Sequence, residues 1–96
     1  MFARLTIVQT KVDKMDEAVK VATESAVPAA KSQKGFVEAC LLTQPNGKGV
    51  FMTFWDTEED MLANEKSGYY QEQLAKFKDM FAAPPTHEGY DVPLKA

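Results

Sequence analysis

Cysteine and histidine are nearly missing from this chain. Cys40 and His87 are the only representatives of their types in 96 residues. One thiol closes no internal disulfide. A transition-metal site would have to be built mainly from carboxylates, which suits neither zinc nor iron, so neither a metal ligand nor a cofactor is expected. Basic clusters are missing too: the lysines are scattered and the net charge is −3, which excludes a phosphate-backbone partner. No apolar run approaches the ~20 residues of a membrane helix. The first residues, Phe2-Ala3-Arg4-Leu5-Thr6-Ile7-Val8, show neither a basic leader nor a cleavage site, so a cytoplasmic protein is expected. There is no glycine-rich phosphate loop and no Ser/His/Asp set. Repeats, linkers and low-complexity segments are lacking as well, which leaves a single domain over 1–96.

What is present centres on one hairpin. Phe36–Thr43 and Val50–Trp55 are apolar, β-branched runs joined by Gln44-Pro45-Asn46-Gly47-Lys48-Gly49. Asn-Gly is a strong hairpin signal because both residues tolerate positive φ. Phe36, Glu38, Cys40 and Leu42 are expected on one face of the first strand. Before the hairpin, Phe2–Gln9 reads as a strand, central or at an edge. A helix follows, capped by Asp13, with Met15, Ala18, Val19, Ala22, Ala26 and Ala29 in one stripe. Pro28 predicts a kink or an early end near Val27. The kinked helix is expected to reach about Gln33, with Gly35 as a left-handed stop. After the hairpin, Asp56 and Glu59 make a capping-box pattern. Tyr70, Leu74, Phe77 and Phe81 then define a helical stripe that runs to the prolines Pro84 and Pro85. His87–Val92 is the last strand.

The order strand, helix, strand, strand, helix, strand is that of an α+β, ferredoxin-like fold with a four-stranded antiparallel sheet and helices on one face. Both faces of both hairpin strands are largely apolar. The helices suffice for one face, so a second copy is expected to cover the other, giving a homodimer through sheet faces.

Several stretches, in this order and spacing, resemble the antibiotic biosynthesis monooxygenase-like family from about Ala3 to Val92. They are Gly35-Phe36 after the helix end Ala29-Ala30-Lys31-Ser32-Gln33-Lys34, then Trp55-Asp56-Thr57-Glu58-Glu59, Ser67 with Tyr70, and Tyr90-Asp91-Val92. The resemblance implies a dimeric α/β barrel with a pocket between sheet and helices in each subunit. Family members include cofactor-free oxygenases of quinols and anthrones, haem-degrading enzymes and an isomerase of a signalling molecule. The haem-degrading branch shares Arg4-Leu5-Thr6 and Trp55. It has an asparagine before that first stretch, a second tryptophan in the following helix and a haem-ligating histidine in the last one. This chain has Ala3, Asn64 and Leu74 at those places, and a hydrocarbon does not ligate iron, so haem degradation is disfavoured.

Each candidate site residue has a plainer reading beside the functional one. Trp55 is a stacking wall of a substrate pocket, or a core tryptophan anchoring sheet to helix. His87, the only side chain of a type that ordinarily titrates near neutrality, is a base for a phenol or quinol, or a surface residue at the sheet's edge. Tyr70 offers its hydroxyl to a bound oxygen or to a structural partner. Asn64 holds a substrate carbonyl or ends a helix. Phe51 and Phe77, with neighbouring methionines, line a pocket for a flat apolar ligand or simply pack. Cys40, in an apolar strand, is not expected to be a nucleophile. The leading expectation is a cofactor-independent monooxygenase of a small aromatic or quinol-type substrate. The alternatives are a non-catalytic binder of hydrophobic small molecules and an isomerase. A convergent polar group in a closed pocket near Trp55 favours the enzyme over the binder.

Overall fold

A computed structural model describes all 96 residues. Strand β1 (Phe2–Gln9) lies at the centre of the sheet, paired antiparallel with β3 (Lys48–Trp55) on one side and β4 (Thr86–Asp91) on the other. β2 (Phe36–Thr43) joins the far side of β3, giving the order β2-β3-β1-β4 expected of the ferredoxin-like fold. Alternation along β1 turns Arg4, Thr6 and Val8 toward the helices and Ala3, Leu5 and Ile7 toward the uncovered face.

The first helical rod runs through Pro28 instead of ending at Val27. It is built from α1 (Met15–Val21), a π-helical turn (Ala22–Ala26) and α2 (Val27–Lys31). Pro28 has no N–H to return to the preceding turn, and the widened turn just before it absorbs the mismatch: the Val27 N–H reaches Ala22 O, five residues back. Asp13 does not cap this rod; it sits in a short 3-10 turn, Val12–Lys14. Gly35 is left-handed as expected, with φ of 82°.

The hairpin corrects two expectations. Only Gly47 takes positive φ, at 93°, so the loop is not a two-residue Asn-Gly turn. Asn46 contributes through its side chain, whose Oδ1 accepts the Lys48 N–H at 3.0 Å. A Cβ at position 47 would lie 2.1 Å from Thr10 O, which explains the glycine. In β2 a bulge between Phe36 and Glu38 splits the expected face. Phe36 packs with Trp55 on the helical side, while Glu38, Cys40 and Leu42 pair with bare-face residues of β3.

After the hairpin, α3 (Glu58–Lys66) is capped by Thr57, whose Oγ1 accepts the Asp60 N–H at 3.1 Å, one residue later than the sequence pattern placed the cap. α4 (Tyr69–Ala75) is shorter than its stripe. Phe81 bridges to Thr10, and the Ala82 N–H bonds Gln9 O at 2.7 Å, so pairing with the end of β1 overrides helical periodicity. Phe77 and Phe81 remain together as a stacked pair, 5.6 Å apart.

The core is small: Phe2, Trp55 and Met61, with Phe36 packed against them. The other sheet face carries Leu5, Ile7, Val50, Met52 and Phe54 with no helix over it; the tail reaches it only at Lys95, whose Nζ lies 5.1 Å over the Phe54 ring and pairs with Glu38, and Leu42 and Tyr90 on it are 49% and 50% exposed.

Candidate functional site

The helical rod presents alanines to the sheet. Ala18, Ala22, Ala26 and Ala30 stand where leucines would have filled the space, and a cleft results. It has two chambers that meet at Thr6, Phe51, Leu74 and Phe77, residues lining both. The chamber toward Val8 and Thr10 is almost wholly apolar, with Met15 and Phe81 in its wall. Its empty volume, mouth included, is about 560 Å³. The other, about 450 Å³ counted the same way, has a polar floor of Arg4, Thr53 and Asn64.

Arg4 dominates that floor. It is 4% exposed on the central strand, with its guanidinium 3.8 Å over the Tyr70 ring and 5.5 Å from the Trp55 ring. Its Nε and Nη1 are buried without a hydrogen-bond partner. The nearest carboxylate oxygen, Glu65 Oε2, is 3.8 Å from Nη1, beyond hydrogen-bond reach. Burial lowers the Arg4 pKa, while Tyr70 and Glu65 pull it back up. An arginine keeps its charge through such a shift. The other oxygen of Glu65 meets His87 Nε2 at 3.1 Å. Tyr70 shares a 2.8 Å hydrogen bond with Thr6 Oγ1, and burial pushes its phenol pKa above the ordinary 10.0. Asn64 Oδ1 is buried and unpartnered as well. The arrangement therefore offers a fixed positive charge with idle donors, a protonated phenol and a vacant acceptor at the end of an apolar cleft.

The antibiotic biosynthesis monooxygenase family model matches residues 1–76. The chain belongs to that family. The family's fold is equally evident in solved structures. A candidate antibiotic biosynthesis monooxygenase from Nitrosomonas europaea superposes with a TM-score of 0.78 at 21% identity, over 98% of this chain and 100% of its own. One from Bordetella bronchiseptica gives 0.83 at 16% identity, over 97% of each chain. A protein of unknown function from Nitrosomonas europaea gives 0.81 at 15%, covering 99% of this chain and 91% of its own. At these identities the likeness extends to the fold. No curated protein matches the sequence.

Within this family member the structure brings Tyr70, Asn64, Phe51 and Phe77 together around the cleft. Trp55 is not in the lining. It is 0% exposed, donates Nε1–H to Thr53 Oγ1 at 2.9 Å, and packs with Phe2 and Met61, so it supports the floor from behind Arg4 and presents no face to a ligand. His87 stands on the edge strand β4, beyond the matched residues, with its side chain 49% exposed. It touches the site edge-on, 5.5 Å from the Tyr70 ring, and through Glu65. Cys40 is exposed on the uncovered sheet face. Arg4 and Glu65 were missed as site residues. A signal for Arg4 existed: a lone charge among Phe2, Thr6 and Val8 on one face of a strand. Glu65 had none, being one of 14 acidic residues in the chain.

Proposed function

We propose that this chain is a cofactor-independent monooxygenase acting on a small aromatic or quinol-type substrate held in the cleft. The observation that carries the reading is Arg4: a buried guanidinium with idle donors, facing an apolar cleft beside the Trp55 ring. A polar group of this kind in the cleft favours an enzyme over a passive binder. Electrostatic stabilisation of a developing anion is strongest where water is excluded. A ring flanked by Phe51 and Phe77 with its oxygen at Arg4 would lose a proton more readily, and the resulting enolate reduces O2 directly. For a ring CH2 of the anthrone type the balance is CH2 + O2 → C=O + H2O. The substrate supplies all the electrons, one oxygen atom is inserted and the other leaves as water. Tyr70, kept protonated by burial, is placed to donate to the departing oxygen. His87 lines neither chamber, so its part in proton removal would run through Glu65 and the Tyr70 edge and not through direct contact with the substrate.

The test is oxygen uptake by metal-stripped protein against hydroquinones and anthrones, with Arg4→Leu, Tyr70→Phe and His87→Ala alongside. Turnover without metal that collapses in Arg4→Leu is expected. Uptake no faster than the uncatalysed rate across the panel, with ligand still bound, would leave a small-molecule binder.

The homodimer belongs to the same reading. The uncovered face is a broad apolar surface, and such patches mark interfaces. Two-fold pairing of two such faces would bury Leu5, Met52 and Phe54. Light scattering at micromolar concentration is expected to return twice the 10.7 kDa chain mass, and a monomer mass removes the argument.

A further inference from the structure

We infer that the natural ligand is an amphipathic organic anion that spans both chambers, with its carboxylate or phenolate on Arg4 and an alkyl or fused-ring extension in the apolar chamber. The inference rests on the cleft being the substrate site, and it adds the ligand's charge, polarity and orientation.

Three observations point to it. First, a buried charged group that makes no hydrogen bond is costly, and Arg4 keeps both Nε and Nη1 idle. Glu65 offsets part of the charge as an ion pair at 3.8 Å but is too far to hydrogen-bond these donors, and its Oε2 is itself buried without a partner. An anion hydrogen-bonds them and also neutralises the buried charge, which a neutral carbonyl does not. Second, the vacant acceptor beside it, Asn64 Oδ1, suits a hydroxyl on the same ligand head. Third, the only charged side chain lining the cleft, Arg4, lies at one end. Arg4 and Val8 lie four residues apart on one face of β1, roughly 14 Å at the antiparallel rise. Past Thr6 the wall turns to Val8, Met15, Val19 and Phe81, with Thr10 and Thr43 the only polar side chains and no charged group. A ligand filling this space is polar at one end and hydrocarbon at the other.

Unreactive probes test this without any turnover. In calorimetry, 4-hexylbenzoate should bind the wild-type protein at least about tenfold more tightly than the isosteric 4-hexylbenzamide. Along the series 4-methyl, 4-butyl, 4-hexyl, affinity should rise about fourfold per methylene until the chamber is full. Arg4→Leu should erase the preference for the acid, weakening the acid far more than the amide. Equal affinity of acid and amide for the wild-type protein overturns the anionic head. A flat chain-length series overturns the extension, and binding of neither probe overturns both. The wild-type comparisons stand even if Arg4→Leu folds poorly. Failure of the oxygen-uptake test with these preferences intact would remove the oxygenase chemistry and leave the ligand assignment standing.

Discussion

The hydroxyl pair between Thr6 and Tyr70 gives the sharpest energetic test of the site's construction. The two oxygens are 2.8 Å apart, buried, and contributed by residues 64 positions apart in the chain. Tyr70→Phe leaves the Thr6 hydroxyl without its partner in a residue 3% exposed. Thr6→Val does the reverse and strands the phenol. An unsatisfied buried group costs about 1–3 kcal/mol, so each single substitution should destabilise by that amount. The double variant removes both hydroxyls, keeps both shapes, and should lie within about 1 kcal/mol of wild type. The cycle then closes with a coupling close to the sum of the two single losses, about 2–6 kcal/mol. Urea unfolding at one fixed protein concentration reads it directly, with the slope unchanged. In thermal melts each kcal/mol is worth about 4–8 °C for a domain of this size. Additive losses, with the double variant as unstable as the sum, would refute the reasoning and mean that cleft water satisfies both hydroxyls in the absence of the pair.

Trp55→Ala should cost about 3–5 kcal/mol and melt the protein, since the ring is fully buried in a core of very few residues. Trp55→Phe should retain most of the stability, and fluorescence or circular dichroism melts will separate the two. Thr57→Ala should lose about 1 kcal/mol by removing the α3 cap, and Thr57→Ser should restore it; denaturant midpoints check both. The raised Tyr70 pKa means that above pH 10 the folded chain holds a proton the unfolded chain releases. Stability should therefore fall as pH rises from 10 through the folded pKa, and Tyr70→Phe should flatten that part of the melting-temperature profile.

How much of this the residues disclosed in advance depends on whether the information was local. Strand alternation, the positive φ at Gly35 and the element order are local, and the topology followed from them. The interruption at Pro28 was local too, but its resolution was not. Whether the chain breaks or widens a turn depends on the packing of Ala22 and Ala26 against the sheet, and the π-helical turn settled it. α4 stopped early because Phe81 was drawn to Thr10, a partner 71 positions away. The site divides the same way. Tyr70 and Phe77 announced themselves through an apolar stripe. Trp55 drew attention as the only tryptophan, yet its partners Phe2 and Met61 come from two other elements and place it behind the floor. Arg4 and Glu65 matter through their proximity to each other, which no spacing in the chain encodes.

The cleft exists at the expense of packing, and that can be turned into a measurement. Ala18 lies on α1 against the apolar chamber, among residues where interiors are ordinarily filled to crystal-like density. A leucine there has good helical propensity and reaches into empty space. Ala18→Leu should therefore stabilise the fold, by about 0.5–2 kcal/mol as cavity-filling changes commonly do. If the chamber receives the ligand's apolar extension, the same variant should bind 4-hexylbenzoate more weakly and leave the 4-methyl compound unaffected. Stability and long-chain affinity would then move in opposite directions from one substitution. A leucine that stabilises without touching long-chain binding would mean the chamber is a packing void. One that destabilises would mean the space is already closed by Phe81 and Met15. The alanines facing the sheet and the idle donors of Arg4 are both departures from what folding alone favours, and such departures concentrate where a chain is shaped for a ligand.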